Sequence, residues 1–399
     1  MSSLRKTINL FKGLNSFKDF SLKKNSGGAY CLQKTSWRSL SSTRFPLQAT
    51  VEQNSKKAKL VTEEERLQFD NLFPKIVEDL VNNKLLENLE EITPRFIRSL
   101  KYNVPNGKKI RGLAVVASYM SLEKPDNLTN ENIRLANILG WAVEMMQAFF
   151  LVLDDLTDGS ETRRGEPCWY KHQDIGLTAI NDGLLLENSL YMLLKKYFSH
   201  HPCYIKLVEL FHESSTITTL GQMLDCNILN VSKLTMNRYD LIVSNKTAFY
   251  SFYLPVALAL YLSNNTNSEI HQHAKKILIE TGKFFQVQDD FLDCFGDPNV
   301  TGKIGTDIET GKCTWLAAKA MEVASVSQKK LMEEHYGKQN PDDTKKIKEL
   351  YVELDIPKLF EEFEELSFKR IQSYIQNLPQ EMPHELFDRI MANTYKRIC

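Results

Sequence analysis

The sequence predicts an all-α protein, in which one large helical domain follows a short basic leader. Apolar residues recur at three- and four-residue spacing along most of the chain from about residue 63 onward, which is typical of helices. No stretch keeps the two-residue alternation, bounded by turn residues, that would indicate strands. Stretches rich in Gly, Pro, Asn and Asp fall between the periodic segments, where helices would end.

The first predicted helix begins after Thr62. A Thr followed three residues later by a Glu, here Glu65, forms a capping box, and apolar residues then repeat at helical spacing. The same period predicts further helices over 131–158, 181–198, 204–229, 236–262, 269–295, 312–334 and 343–376. Several of these segments are apolar on more than one face and are therefore expected near the centre of the protein. Because no linker-like segment interrupts the chain after residue 63, we predict one domain over residues 60–399.

The leader, residues 1–55, differs in composition from the rest of the chain. Its first 50 residues contain nine Lys and Arg but a single acidic residue, Asp19, and they are rich in Ser. Leu4, Ile8 and Phe11 can share one face of a helix beside basic residues. This pattern is typical of a mitochondrial transit peptide, and the alternative is a disordered basic tail. We therefore predict a mitochondrial location, and a cytoplasmic one if the leader is only a tail.

Composition excludes several classes of protein. The 50 basic residues balance 50 acidic ones, so nothing indicates general binding to nucleic acid or to an anionic membrane surface. The seven cysteines are scattered and form no CxxC pair, which argues against a disulfide framework or a zinc site. The apolar stretch 135–153 is long enough to suggest a transmembrane helix. Asn137, Glu144 and Gln147 interrupt it, so a buried central helix and no transmembrane segment are predicted.

Two acidic motifs of the same form stand out, "DDLTD" at 154–158 and "DDFLD" at 289–293. Each follows a Phe pair and an apolar run, and together they supply Asp154, Asp155, Asp158, Asp289, Asp290 and Asp293. On a helix the first and third carboxylates of such a triad lie on one face, one turn apart. Carboxylates this close repel each other, and a divalent cation relieves the repulsion. The motifs therefore indicate binding of Mg²⁺, which prefers oxygen ligands and commonly bridges to phosphates. The alternative is a solvated helix end.

Basic residues cluster near the triads, as a polyphosphate substrate would require. They are Lys108, Lys109, Arg111, Arg163, Arg164, Lys246, Lys303 and Lys312. Single surface cations are ordinary, but Lys246 lies in the largely apolar segment "NKTAFYSFYLPV" and needs a partner there. No segment has the spacing of a Walker A loop, so nucleotide chemistry is not indicated.

Together these motifs resemble those of the short-chain trans-isoprenyl diphosphate synthases, and most closely of the farnesyl-forming members. The resemblance covers about residues 65–397 and rests on the two triads, "TRRGEPCWY", "GQMLD", "KTAFYSFYLP", "DCFGDPNVTGKIGTDIETGKC" and the C-terminal "YKR". It implies the isoprenoid synthase fold, a helical bundle around a deep central cavity, usually as a homodimer. It also implies the Mg²⁺-dependent condensation of isopentenyl diphosphate with dimethylallyl and then geranyl diphosphate, which gives farnesyl diphosphate.

The resemblance also implies a role for each site residue. The six aspartates would hold three Mg²⁺ ions, with Asp225 and Asp307 behind them. Arg163, Lys246 and Lys303 would bind the allylic diphosphate, and Lys108, Arg111, Gln147, Arg164 and the C-terminal basic residues the isopentenyl diphosphate. The other substrate-binding residues would be Thr247, Gln286 and Lys312. The residues Lys246, Thr247 and Gln286 would lie beside the developing carbocation and form the catalytic set.

The length of the product can be argued from helix geometry. Phe149 and Phe150 precede Asp154 by about one turn, and at ~1.5 Å per residue they lie roughly 6–8 Å deeper along the helix. We predict that the two rings form the floor of the cavity. Farnesyl-forming members of the family carry aromatic residues at both positions, so the resemblance implies a C15 product.

Three departures from the family pattern leave alternatives open. Asn106 stands where a second Gly is usual, Ile110 where a small polar residue is usual, and the tail "YKRIC" is less basic than usual. All three fall on the side that would bind isopentenyl diphosphate. A terpene synthase that ionises an allylic diphosphate without condensation is therefore the alternative, and a geranyl diphosphate synthase is another.

Overall fold

The structure is a computed structural model, and it describes residues 20–24, 30–34, 59–227, 230–297 and 305–395. The chain divides into two compact units, residues 1–57 and 58–399. In the first unit, strands β1 (Phe20–Lys24) and β2 (Tyr30–Lys34) pair antiparallel, with Phe20 opposite Lys34. Sequence analysis did not predict this hairpin, although the turn-forming sequence "NSGGA" separates the two strands.

The second unit is predominantly helical over its described residues, which confirms the all-α prediction. Its helices are α1 (Glu63–Val81), α2 (Thr93–Asn103), α3 (Ile110–Leu122), α4 (Asn130–Asp158), α5 (Ala179–Phe198), α6 (Tyr204–Cys226), α7 (Met236–Val243), a π-helix (Ser244–Tyr253), α8 (Leu254–Leu262), α9 (Ser268–Phe295), α10 (Asp307–Thr310), α11 (Trp315–Val323), α12 (Val326–His335), α13 (Pro341–Glu353), α14 (Ile356–Gln376) and α15 (His384–Thr394). A two-residue ribbon, β3 (Thr162–Arg163) with β4 (Glu166–Pro167), follows α4.

The helix boundaries reflect local signals. Thr62 Oγ1 accepts from the Glu65 N–H at 3.2 Å while Glu65 Oε2 accepts from the Thr62 N–H at 2.6 Å, so the predicted capping box is present. Three predicted segments are subdivided. A second capping box at Ser325 separates α11 from α12, and Asp355, at φ 53°, with the proline that follows, separates α13 from α14. The third, 236–262, contains the π-helix.

Helix α4 is the centre of the bundle. It is long and apolar enough to cross a membrane by length and composition alone, but 83% of its most apolar window is buried within the protein. Trp141 on α4 lies between Phe69 and Phe73 of α1, with each pair of ring centroids 4.5 Å apart, and its Nε1 donates to the Phe69 carbonyl at 2.9 Å. An aromatic cluster that is buried and hydrogen-bonded in this way stabilises the packing of α1 on α4.

Helices α3 and α4 cross at a pair of glycines. A β-carbon on Gly112 would lie 2.8 Å from the Gly140 carbonyl oxygen, and one on Gly140 would lie 2.6 Å from the Gly112 oxygen. Neither position has room for a side chain, so the two backbones approach as closely as helices can. The crossing brings the first turn of α3 against the middle of α4.

Glycines also bring the π-helix close to its neighbours. A β-carbon on Gly221 of α6 would lie 2.2 Å from the main-chain nitrogen of Lys246, and one on Gly282 of α9 would lie 2.5 Å from the Ala248 Cβ. The π-helix is therefore held between α6 and α9. Segments of π-helix often occur at functional sites, because the extra residue in each turn changes the direction of the side chains.

Candidate active site

The two aspartate triads lie at the C-terminal ends of α4 and α9, the two longest helices among the described residues. Asp155 and Asp290, the middle members, are buried, whereas the outer members are partly exposed. Both helices are apolar before the triad, so each triad lies where a buried helix emerges from the core.

The first triad is held by a cation from the loop that follows α4. Arg163 donates from Nε to Asp155 Oδ1 at 2.9 Å and from Nη2 to Asp154 Oδ2 at 3.3 Å, and Nη2 also donates to Asp155. Burial opposes the charge on Arg163, but the hydrogen bond to Asp155 and the two carboxylate charges outweigh it and raise the arginine pKa. The turn of β3 and β4 positions Arg163, because it folds the chain back over the end of α4.

A carboxylate shared by two lysines connects the first triad to more distant parts of the chain. Asp225 Oδ2 accepts from Lys246 Nζ at 2.6 Å and from Lys312 Nζ at 3.1 Å. Lys246 also donates to Asp154 at 3.3 Å, and Lys312 donates to both oxygens of Asp158 at 3.0 and 3.1 Å. Burial opposes the charge on Asp225, but the two ammonium groups outweigh it and lower its pKa. Both lysines are therefore held in their charged form.

The residue after Lys246 begins a second connection, which reaches the other triad. Thr247 Oγ1 donates to Gln286 Oε1 at 3.0 Å, and Gln286 Nε2 donates to Asp290 Oδ1 at 2.9 Å. The main-chain N–H of Trp315 donates to Asp290 Oδ2 at 2.9 Å. Burial raises the pKa of Asp290 to about 7, although these hydrogen bonds favour its charged form. Two adjacent residues of the π-helix are thus connected to different triads. Lys246 contacts the first triad, and Thr247 is linked to the second through Gln286.

The last aspartate of the second triad accepts a main-chain hydrogen bond. Asp293 Oδ2 accepts from the Asp307 N–H at 3.1 Å. A β-carbon on Gly305 would lie 1.8 Å from the Asp293 carbonyl oxygen, so the chain before α10 passes directly over the end of α9. The main chain of Asp307 therefore lies beside the second triad.

Over the described part of the chain, no three His, Cys, Asp or Glu side chains form a group that could hold a metal ion in the present arrangement. In the first triad, the ion pairs explain why the carboxylates do not form such a group. Each carboxylate is paired with a basic side chain: Arg163, Lys246 or Lys312. The donor set itself is of the right chemistry, since six carboxylates supply the oxygen ligands that Mg²⁺ prefers.

A cavity of about 1110 Å³ opens beside the first triad. Asp155 and Arg163 line it at the triad, and a basic group lines its rim: Lys108, Lys109, Arg111 and Arg164. An apolar wall, which includes Leu151, Val152, Phe252, Phe285 and Ile390, also lines it. A basic rim over an apolar interior is complementary to an anionic head group carrying a hydrocarbon tail.

The predicted residues of the basic rim are brought together. Arg111 Nε donates to Ser251 Oγ at 2.9 Å, and its guanidinium lies 5.0 Å from the ring centre of Tyr250. The amide of Gln147 faces the same guanidinium. Arg164, at φ 58°, lies against Gly107, where a β-carbon would be 2.8 Å from its guanidinium carbon. Burial, with the charges of Arg163 and Arg111 adding to it, lowers the pKa of Arg164.

Two of the three departures from the family pattern, Asn106 and Ile110, also line the cavity. The third, the C-terminal tail, lies outside the described residues beyond Tyr395. Asn106 Nδ2 donates to the Tyr102 carbonyl at 2.8 Å, so this side chain closes the end of α2. Ile110 is exposed at the first residue of α3. Neither side chain displaces Arg111 or Lys108 from the lining.

Phe149 and Phe150 lie on a different face of α4 from the residues that line the cavity. Phe149 is buried and packs on Phe150 with ring centroids 4.8 Å apart, and Phe150 packs on Tyr250 at 5.5 Å. Among the residues of α4, the cavity is lined instead by Gln147, Ala148, Leu151, Val152 and Asp155. The assignment of the two rings as a cavity floor therefore remains a prediction.

Some predicted residues fall outside the described ranges, and one site residue was missed. Lys303 and the C-terminal Lys396 and Arg397 are not among the described residues. Gln222, which donates to Asp154 Oδ1 at 2.9 Å, was not predicted. Its position three residues before Asp225, and therefore on the same face of α6, is the signal that could have indicated it.

Comparison with known proteins identifies the family. The polyprenyl synthetase family matches residues 93–354. Farnesyl pyrophosphate synthases of Nezara viridula and Gallus gallus are 47% and 45% identical to this chain, over 84% and 85% of its length and 84% and 94% of theirs. The structure of a T. brucei farnesyl diphosphate synthase in complex with the bisphosphonate BPH-722 is similar over 84% of this chain and 100% of that one, with a TM-score of 0.79 at 29% identity. The chain therefore belongs to the polyprenyl synthetase family and is a prenyltransferase.

Proposed function

We propose that this protein condenses isopentenyl diphosphate with dimethylallyl and then geranyl diphosphate to form farnesyl diphosphate. The observation that carries the proposal is the arrangement of the two triads around Lys246 and Thr247, beside a cavity with a basic rim and an apolar wall. The names of the relatives favour farnesyl synthesis over the alternatives, a terpene synthase and a geranyl diphosphate synthase.

The allylic diphosphate belongs beside the first triad. Lys246, Lys312 and Arg163 are aimed at this region, and Asp225 holds both lysines in place through hydrogen bonds. Donors fixed in this way stabilise the negative charge that develops on a departing diphosphate. The proposal gives Lys303 the same role.

We infer that three Mg²⁺ ions bind to Asp154, Asp155, Asp158, Asp289, Asp290 and Asp293. Bound there, they would supply the positive charge that holds the diphosphate and favours its departure. The test is loss of activity with EDTA, recovery with Mg²⁺, and a matched Asp154→Asn variant that stays folded but does not recover.

Thr247 and Gln286 are assigned to the reacting carbon. Their oxygen atoms lie 3.0 Å apart between the two triads, where a carbocation would form once the diphosphate leaves. An apolar wall close to this position would limit the access of water, which would otherwise quench such a cation. Lys108, Arg111, Gln147 and Arg164 are assigned to the diphosphate of isopentenyl diphosphate.

The experiment uses the full chain with Mg²⁺, labelled isopentenyl diphosphate and either geranyl or dimethylallyl diphosphate, with products separated before and after phosphatase treatment. Labelled farnesol that appears only after phosphatase is the expected result. An unlabelled hydrocarbon or alcohol, released without phosphatase, would overturn the proposal in favour of a terpene synthase. Labelled geraniol from dimethylallyl diphosphate without any farnesol would favour a geranyl diphosphate synthase.

We propose that the protein is a homodimer that buries the outer faces of α5 and α6. A groove of about 770 Å³ runs between these helices, and Leu184, Leu220 and Met223 are exposed along it or within one turn of it. Sedimentation should give a dimer, and Leu220→Glu with Met223→Glu should give a monomer. Leu366→Glu on α14, where the wild-type side chain is 67% exposed, is the control and should remain dimeric.

We also propose that residues 1–55 direct the protein to mitochondria. The support is the basic, acid-poor composition of this segment. Isolated mitochondria should import the full chain and protect it from protease in a manner that depends on membrane potential. A chain lacking residues 1–55 should stay outside, and equal import of both chains would contradict the proposal.

A further inference from the structure

Glu144 is a buried carboxylate that belongs to none of the groups described so far. It lies in the middle of α4 with 3% of its surface exposed, and it is not part of the cavity lining. Its Oε1 accepts from the Gly112 N–H at 2.8 Å. Gly112 is the third residue of α3, so this N–H is one of the donors that a helix leaves unpaired at its N-terminus. Glu144 therefore caps α3 from a different helix.

The second oxygen of Glu144 faces the amide of Gln147. Arg111 Nη1 lies 2.9 Å from the Gln147 amide, and an arginine can only donate, so the amide oxygen must face Arg111. The amide nitrogen then faces Glu144 and donates to Oε2 at 3.1 Å. The carboxylate thus determines which end of the Gln147 amide points toward the cavity.

Arg111 is held from two sides as a result. Gln147 accepts from Nη1, and Ser251 of the π-helix accepts from Nε at 2.9 Å. Two fixed acceptors set the plane of the guanidinium and leave its remaining N–H groups for a ligand in the cavity. Burial raises the pKa of Glu144, while the Gly112 N–H and the charges of Arg111, Arg164 and Lys109 oppose that shift.

We propose that Glu144 is a positioning residue for the diphosphate that binds at the basic rim, acting through Gln147 on Arg111. The inference rests on the proposed function, in which this diphosphate is that of isopentenyl diphosphate. Glu144 touches neither substrate. Its role is to keep Gln147 in the orientation that presents an oxygen to Arg111.

The test is Glu144→Gln, which has almost the same shape. The new amide must keep its oxygen toward the Gly112 N–H, so the cap is preserved and an NH₂ group faces Gln147. Gln147 then cannot satisfy both neighbours, and in either orientation one hydrogen bond becomes a donor–donor contact. We expect the KM for isopentenyl diphosphate to rise about 10-fold, corresponding to roughly one hydrogen bond, while the KM for geranyl diphosphate stays unchanged.

A double variant, Glu144→Gln with Gln147→Ala, tests whether the carboxylate acts through Gln147. With the amide at position 147 removed, the substitution at position 144 has no amide left to misorient. We expect Glu144→Gln to raise the KM for isopentenyl diphosphate by less than about twofold in the Gln147→Ala background, which is the non-additive result for two residues that act as one unit. Asp79→Asn, which removes another buried carboxylate far from the cavity, is the control and should change neither KM.

The binding of isopentenyl diphosphate alone, measured by calorimetry, gives a readout that does not require turnover. Weaker binding by Glu144→Gln, with no further weakening when it is added to Gln147→Ala, supports the inference. An unchanged dissociation constant, equal changes in both KM values, or additive effects of the two substitutions would overturn it. Failure of the wild-type chain to condense the substrates would instead overturn the proposed function, so the two failures are distinguishable.

Discussion

The backbone of α6 at Gly221 lies directly against the backbone of the π-helix at Lys246. A β-carbon at position 221 would be 2.2 Å from the main-chain nitrogen of Lys246, which is too short for two atoms that are not bonded to each other. Gln222 and Asp225 lie on one face of α6, where Gln222 donates to Asp154 and Asp225 accepts from the Lys246 side chain. The geometry of the site therefore depends on the absence of a single methyl group.

Gly221→Ala should displace the π-helix and move Lys246 away from Asp154. We expect kcat to fall at least 100-fold, because a displacement of about 1 Å at a site of this kind has effects of that size. The matched control is Gly183→Ala on α5, where a β-carbon would meet Leu153 at an ordinary 3.4 Å. Steady-state kinetics compare the two variants, and equal activity would refute the close-contact argument.

Asp225→Asn should lower kcat roughly 10- to 100-fold, because it removes the charge that orders Lys246 and Lys312 beside the leaving group. The measurement is turnover with saturating geranyl and isopentenyl diphosphates. Asp240→Asn is the control, because Asp240 pairs with Lys283 at an exposed position and is expected to have no effect. Wild-type turnover by Asp225→Asn would mean that neither lysine needs this carboxylate.

Phe149→Ala combined with Phe150→Ala should lengthen the product beyond C15. Removal of the two rings, whose centroids are 4.8 Å apart, would extend the space below Asp154 toward Tyr250. Chromatography of the dephosphorylated products measures the shift. Phe295→Ala, on the far side of the second triad, is the control and should keep C15. If the double variant remains folded and still produces only C15, the cavity has a different floor.

Asp79 should make the stability of the protein sensitive to acid. Burial opposes its charge, but hydrogen bonds from Tyr197 Oη and Lys196 outweigh burial and lower its pKa. A carboxyl whose folded-state pKa is lowered stabilises the protein above its unfolded pKa of about 3.9, and this contribution is lost as pH falls through the folded value. At pH 7 we expect Asp79→Asn to lower the free energy of unfolding by about 1–3 kcal/mol.

Urea denaturation of the wild type and Asp79→Asn at several pH values tests this. The difference in the free energy of unfolding should be constant from pH 7 to about 5 and should shrink below about pH 4. A difference that does not change with pH would show that Asp79 acts through shape and not through charge.

Features with a local cause were predictable from the sequence. Helical periodicity is a property of neighbouring residues, and the capping box at Thr62 depends on residues three apart. The triads were recognisable for the same reason, since their spacing alone places the carboxylates on one helix face. The central, buried position of α4 followed from an apolar run that polar residues interrupt.

Features that join distant parts of the chain were not predictable in this way. Ser251 and Arg111 are 140 residues apart, and Lys312 and Asp158 are 154 apart, so no local pattern pairs them. The capping of α3 by Glu144 was missed because the sequence shows only an acid within an apolar run. The π-helix was missed because its residues have the composition of an ordinary buried helix.

The ten residues of the π-helix have a consequence for how this protein can change over evolution. Lys246 and Thr247 face the triads, while Tyr250 and Ser251 face Arg111 at the rim of the cavity. In any helix, deletion or insertion of one residue rotates everything beyond it by a large fraction of a turn, roughly 100° in an α-helix. If a residue were inserted or deleted between Thr247 and Tyr250, Lys246 and Thr247 could keep their contacts with the triads only if Tyr250 and Ser251 turned away from Arg111, or the reverse. Substitutions can accumulate in this segment, but insertions and deletions there should be eliminated by selection.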